Sequence, residues 1–129
     1  MKNVFLGLIL VIIVPAVSIG GTESIVLNGI PLTQSKSNIQ ESQNYQLSES
    51  QQNEYRLLIT KIGENYFWKT RENRPLFKHQ SGDITIFIEM GGAGYIRISK
   101  VEGRFFYMEH MAHGFQSVTY WGITENFTP

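Results

Sequence analysis

The sequence contains no cysteine among its 129 residues. Disulfide bonds therefore cannot stabilise the fold, although small exported domains commonly depend on them. A lipid anchor on an N-terminal cysteine is excluded for the same reason. Stability must come from apolar packing, from a bound ligand or from assembly into oligomers.

The sequence also lacks an excess of charge of either sign, because 11 basic and 11 acidic side chains cancel. Proteins that bind nucleic acid normally carry a basic excess or a basic stripe on one face. We therefore expect a small molecule or a protein as the partner, and no nucleic acid.

Long apolar runs are absent except at the N-terminus. One lysine is followed there by an apolar run from Val4 to Val14, and then by Pro15, Ala16 and Ser18. A charged start, an apolar centre and small residues at the end are typical of a secretory signal peptide. We expect a cleaved signal peptide over residues 1–20 and a secreted or periplasmic protein. The alternative is an uncleaved segment that anchors the chain to a membrane.

Residues 21–46 are rich in Ser, Gln and Asn, and their apolar residues follow no period. Such a segment buries too little apolar surface to offset the entropy lost on ordering. The composition predicts a flexible polar linker over residues 21–46, followed by a single domain over residues 47–129.

The domain is predicted to begin with a helix. Ser48 and Gln51 have the spacing of a capping box, in which each side chain satisfies a backbone N–H at the start of a helix. Apolar residues then recur at the spacing of one helical face, and Gly63 follows as a C-terminal cap. The pattern predicts a helix over residues 49–62 with an apolar stripe of Tyr55, Leu58, Ile59 and Ile62.

Five short segments after Gly63 are typical of strands joined by tight glycine turns. These segments are residues 65–71, 83–90, 95–99, 104–110 and 116–122. The fold class that follows is α+β, with one amphipathic helix packed on an antiparallel sheet of four to five strands. We expect Ile84, Ile86 and Ile88, and likewise Ile96 and Ile98, to face the helix.

The opposite sheet face is predicted to be open and to carry aromatic and charged side chains. It would include Phe87, Glu89, Tyr95 and Arg97, continued by Phe105, Tyr107 and Glu109 or by the set offset by one residue. Such a mixture is found at ligand sites, although an ordinary solvated face has the same composition. Together with the charged loop at residues 70–79, it gives these candidate ligand-binding residues: Arg71, Arg74, Tyr95, Arg97, Tyr107 and Trp121. We expect no cofactor.

The stretch "YMEHMAHGF" at residues 107–115 raises a metal site as a further hypothesis. Zinc catalysis uses three protein ligands and one open position, and His79, His110 and His113 are the candidates. In a regular strand His110 and His113 would point to opposite faces. They would converge only if the strand turned after His110.

Two other functions remain open beside ligand or protein binding. A helix on a sheet that offers Glu, Arg and His resembles, in architecture alone, the small secreted microbial ribonucleases. In such a hydrolase, metal-assisted or not, Glu109 or Glu89 would act as base and His110 or His79 as acid, and Arg97 would hold a phosphate. The sequence has no G-x-S-x-G motif for a serine nucleophile. The third hypothesis is an oligomer-forming structural protein, in which the open sheet face is the interface between copies of the chain.

Overall fold

The computed structural model describes residues 21–129 of the chain. In this range the chain forms nine strands and one short helix. In chain order they are β1 Ser24–Ser37, β2 Ser42–Gln46, α1 Glu49–Glu54, β3 Leu57–Ile62, β4 Asn65–Trp68, β5 Arg74–Ser81, β6 Ile84–Glu89, β7 Gly94–Val101, β8 Arg104–His113 and β9 Gln116–Phe127. The predicted α+β fold is therefore wrong.

The strands of the described range form a closed antiparallel barrel. Strands β3 to β9 pair in chain order, and β1 pairs with β3 on one side and with β9 on the other. This second pairing closes an eight-stranded barrel, because every strand from β3 to β9 then has two neighbours. The remaining strand, β2, pairs only with the second half of β1.

The predicted capping box is confirmed, but the helix is much shorter than expected. The Gln51 backbone N–H donates to the Ser48 hydroxyl, and the Ser48 backbone N–H donates to the Gln51 side chain. Helix α1 nevertheless ends at Glu54, and none of its residues is buried. We define the upper end of the barrel as the end that carries α1 and the β4–β5 turn.

The second half of the predicted helix is strand β3. Leu57 and Ile59 point into the barrel and are fully buried. β-branched residues such as Ile59, Thr60 and Ile62 fit a pleated sheet better than a helix surface. Gly63 adopts a positive φ of 58° in the β3–β4 turn, so its left-handed conformation serves a hairpin rather than a helix cap.

The segment predicted as a linker is mostly strand. Strand β1 spans 14 of its residues, and β2 adds five more. Val26, Leu27 and Gln34 of β1 are buried in the barrel. The partners of β1 come from both ends of the chain, with Leu27 opposite both Ile59 and Phe127.

The predicted antiparallel hairpins after Gly63 are confirmed, with one strand more than expected. All five predicted segments contain a strand. The charged stretch predicted as a loop contains β5, whose Leu76 is buried in the barrel. Before β5 the chain turns through Glu72 and Asn73, both with positive φ.

The core lies inside the barrel and not between a helix and a sheet. Phe87 of β6 pairs with Ile96 of β7, and both side chains are fully buried. Because neighbours along a strand point to opposite sides, Ile84, Ile86 and Ile88 point outward. The expectation that these three isoleucines face the helix is wrong, whereas Ile96 and Ile98 do lie in the core.

Within residues 21–129, no helix is long and apolar enough to cross a membrane. The signal peptide predicted over residues 1–20 lies outside the described part of the chain.

Candidate functional site

The barrel wall divides the predicted site residues into two groups. Tyr107 and Glu109 of β8 point inward and are fully buried, and Arg71 reaches Glu109 from the β4–β5 turn. Three candidates point outward, because each pairs in register with an outward residue of the next strand: Tyr95, Arg97 and Trp121. The predicted open face therefore does not exist as one surface.

The inward group surrounds one buried carboxylate. Trp68 Nε1 donates to Glu109 Oε1 over 2.9 Å, and Arg71 Nη2 donates to Glu109 Oε2 over 3.0 Å. The Arg71 guanidinium also lies 5.6 Å from the centre of the Tyr120 ring. Tyr55, which follows α1, packs against Tyr120 with the two ring centres 5.4 Å apart, and its backbone carbonyl accepts a hydrogen bond of 3.5 Å from Arg71 Nη2. We call these five residues the Glu109 cluster.

Burial shifts the pKa values of the titratable side chains in and beside this cluster. It raises the pKa of Glu109 to about 7, against the opposing effects of the Arg71 charge and the Trp68 hydrogen bond. Burial also raises the pKa of the Tyr107 phenol, and the nearby Glu109 charge adds to that effect. Among the described residues the Tyr107 hydroxyl has no hydrogen-bond partner. The Tyr120 hydroxyl accepts a hydrogen bond of 2.8 Å from Gln34.

Arg74 lies at the upper rim of the barrel. Its guanidinium pairs with Glu72 over 3.2 Å on the exposed side of the turn. Glu89, at the end of β6, accepts a hydrogen bond of 2.8 Å from the Ala93 backbone N–H. That bond holds the pKa of Glu89 below its usual value. Both residues therefore stabilise turns at the rim.

The outward group forms a continuous surface over four strands. The register places Trp121 beside Met108, Met108 beside Arg97, and Arg97 beside Ile86. These four residues form one row of side chains across the strands. In the rows on either side of it, most positions are apolar or aromatic. We call this surface the outer face and define it by these residues: Ile84, Ile86, Ile88, Tyr95, Arg97, Phe106, Met108, His110 and Trp121.

The outer face exposes large side chains around a depression. Trp121 is 54% exposed and Ile88 is 42% exposed. A depression of about 290 Å³ lies between Arg97, Phe106, Met108 and Trp121. Arg97 takes part in none of the ion pairs found among residues 21–129. Its guanidinium is therefore free to pair with a group from another molecule.

The three histidines lie at separate places. His110 is on the outer face, where its Nδ1 lies 2.8 Å from Thr119 Oγ1 and its ring packs against Tyr95. His113 is on the opposite side of the same strand, and His79 is on β5. Strand β8 runs through both His110 and His113 without turning. Among residues 21–129, no three His, Cys, Asp or Glu side chains lie close enough to hold a metal ion.

The same alternation separates the pair considered for acid–base catalysis. Glu109 points into the barrel and His110 points out of it. The sheet backbone lies between the two side chains, so one substrate atom cannot contact both.

Several residues that shape these surfaces escaped the sequence analysis. Trp68 lies in the segment predicted as a strand at residues 65–71 but was not selected as a site residue, and neither were Met108 and Phe106. Strands β6 and β8 carry large apolar residues on both sides. This pattern is visible in the sequence. It indicates strands that pack one side into a core and present the other side to a partner.

No family model, no curated protein and no solved structure matches this chain.

Proposed function

We propose that the protein binds a short segment of another protein, with apolar side chains and a carboxylate, through the outer face. The observation that carries this proposal is the row Trp121, Met108 and Arg97, in which an unpaired guanidinium lies next to the half-buried Met108 and in line with the exposed Trp121. An arginine beside aromatic and methionine side chains is the composition enriched in protein interfaces.

The extent of the outer face favours a protein segment over a small molecule. Four strands about 4.8 Å apart and three rows of side chains about 7 Å apart cover about 400 Å². Most side chains in this area are apolar or aromatic, and a largely apolar patch of that size on a monomer is commonly functional. Small-molecule sites instead enclose most of their ligand in a deep cleft, and the depression beside Trp121 is only partly enclosed.

The charge of the outer face favours a partner other than a second copy of the chain. The outward positions of β6, β7 and β8 include Arg97 and Arg104 but no acidic residue. A two-fold interface would place this face against itself. Arg97 would then approach a second basic face without a carboxylate to pair with, which is unfavourable. A partner that supplies an Asp or Glu removes this repulsion.

We also propose that this binding takes place outside the cell or in the periplasm. The support is the sequence of residues 1–20, with its charged start and apolar centre.

The proposal is tested by selecting ligands from a random peptide library against the full chain. Selected peptides should be enriched in Asp or Glu next to aromatic or aliphatic residues. Their amide shift changes should map to β6–β9. Arg97→Glu should weaken binding of a selected peptide by about tenfold or more, because the charge pair becomes a repulsion. Trp121→Ala should weaken binding to a similar extent, because aromatic anchors carry much of the binding energy of such interfaces.

Lys36→Glu is the matched control, since it makes the same charge change outside the outer face. It should leave the affinity unchanged. The proposal fails if the selected peptides show no acidic preference, or if Lys36→Glu and Arg97→Glu weaken binding equally.

A further inference from the structure

The upper end of the barrel interior combines a buried carboxylate with aromatic rings. Glu109 is 0% exposed and holds the Trp68 indole N–H at 2.9 Å. Tyr120 pairs with Glu109 across β8 and β9, and Tyr55 packs on Tyr120. An acid beside the faces of aromatic rings is a favourable environment for an organic cation, since the carboxylate supplies charge and the rings supply cation–π attraction.

A cation from the chain itself occupies this environment. Arg71 Nη2 lies 3.0 Å from Glu109 Oε2, and the guanidinium lies over the Tyr120 ring. The Arg71 side chain is 16% exposed whereas that of Glu109 is fully buried. The Arg71 side chain therefore extends from the partly exposed upper end of the barrel to the buried carboxylate.

Displacement of Arg71 would break its pair with Glu109 and its hydrogen bonds to the Thr70 and Tyr55 carbonyls, but the turn that carries it, residues 69–73, has no buried residue. The turn that carries Arg71 continues through Glu72 and Asn73, with φ values of 58° and 54°. These are left-handed conformations that residues other than glycine adopt rarely. Helix α1, on the other side of the site, has no buried residue. Elements with few buried apolar contacts open more easily than the rest of a fold.

We propose that the upper end of the barrel binds an organic cation, a guanidinium or primary ammonium group, at Glu109, and that Arg71 occupies this site in the free protein. The ligand replaces the Arg71 guanidinium at the carboxylate, and the β4–β5 turn moves outward with Arg71. The site lies inside the barrel, separate from the outer face, and does not depend on the function proposed for that face.

The two tryptophans provide the test on the unaltered chain. Only Trp68 donates to Glu109, whereas Trp121 is exposed on the outer face. The full chain, labelled with ¹⁵N, is titrated at pH 8 with agmatine, which carries a guanidinium and a primary ammonium group. The Trp68 indole N–H resonance should shift and saturate while that of Trp121 stays in place. A Trp68 resonance that does not move, or that moves without saturating, overturns the proposal.

Variants test the part played by Arg71. Arg71→Ala should bind agmatine about tenfold more tightly or better, because a competing intramolecular cation has been removed. Arg71→Ala combined with Glu109→Gln should not bind. Arg74→Ala is the matched control, since Arg74 lies on the same turn and pairs with Glu72 instead. Equal affinities of wild type and Arg71→Ala would overturn the assignment of Arg71 as occupant. If Arg71→Ala does not fold, the titration of the unaltered chain still tests whether the site binds agmatine.

Discussion

The Glu109 carboxylate is buried away from water, and its surroundings have opposing effects on its pKa. Burial disfavours the charged form, while Arg71 and Trp68 favour it. The balance is a pKa of about 7, above the usual carboxyl value. The free energy of unfolding therefore falls as Glu109 becomes charged with rising pH. Arg71 compensates only part of the cost of burying that charge.

The first prediction concerns the pH dependence of stability. The folded chain holds a proton on Glu109 between about pH 4.5 and pH 7, where the unfolded chain has lost it. The free energy of unfolding should therefore fall as pH rises through this window, by at most about 1.4 kcal/mol per pH unit. Glu109→Gln should remove this slope, as measured by urea unfolding at several pH values.

Glu54→Gln is the control for that experiment, because Glu54 is exposed at the end of α1. It should keep the slope of the unaltered chain. A slope that persists in Glu109→Gln would contradict the assignment of the pH dependence to Glu109.

The second prediction concerns Gly29, which faces the Tyr107 ring across the barrel interior. A Cβ atom at Gly29 would lie 2.5 Å from Tyr107 Cε1. Gly29→Ala should lower the free energy of unfolding by about 1–3 kcal/mol, since an overpacked core strains its neighbours. The same change should cost less in a Tyr107→Leu background, where the ring is gone. Additive costs in the double variant, measured by urea unfolding, would contradict this packing.

At the scale of secondary structure, the elements that the sequence analysis identified are those defined by neighbours in the chain. The capping box at Ser48 and the hairpins after Gly63 depend on residues a few positions apart, and both were predicted correctly. The predicted length of the helix was wrong. Tyr55, Leu58, Ile59 and Ile62 match a helical period by coincidence, and short apolar runs do not distinguish a helix from a strand.

Strand β1 could not be identified locally, because its stabilisation comes from distant parts of the chain. Its partners are β3 and β9, and the register pairs Leu27 with Phe127. Its Ser, Gln and Asn residues give it the composition of a linker, although Gln34 is buried and only Ser24 among them is exposed. Similarly, β6 is apolar on both sides, and alternation alone does not show which side is the core. For this reason Phe87 and Glu89 were placed on the wrong side.

The third prediction follows from the role of β1 in closing the barrel. A chain that begins at residue 47 lacks β1 and β2, which leaves β3 and β9 as unpaired edges and uncovers Leu57 and Ile59. It should lose its cooperative thermal transition, whereas a chain that begins at residue 21 should retain it. Circular dichroism during heating measures both. A cooperative transition in the shorter chain would mean that residues 21–46 are not part of the fold.

At the scale of the whole molecule, the barrel separates two environments that the sequence places next to each other. Tyr107 and Glu109 belong to the interior, whereas Phe106, Met108 and His110 belong to the outer face. The sequence analysis named several of these residues as candidates, but it did not predict how they are grouped, because the grouping depends on which side of β8 faces inward. Arg97 and Trp121 remain together on the outer face.

The fourth prediction is that the folded chain does not associate with itself through the outer face. Arg97 lies there, and the other outward positions of β6, β7 and β8 add Arg104 but no acidic residue. The melting temperature should therefore stay constant as protein concentration increases. A melting temperature that rises with concentration would indicate oligomers stabilised by mass action, and would favour the structural hypothesis.

The measurement that most directly tests binding through the outer face is photo-crosslinking in the cells that produce the protein. A photoreactive amino acid replaces Met108, and a control chain carries it at the exposed Tyr45 of β2. We predict that Met108 is crosslinked to a different protein at a segment with acidic and apolar residues, and that Arg97→Glu abolishes this adduct. The account is contradicted if Met108 gives no adduct, gives only dimers of this chain, or gives the same adducts as Tyr45.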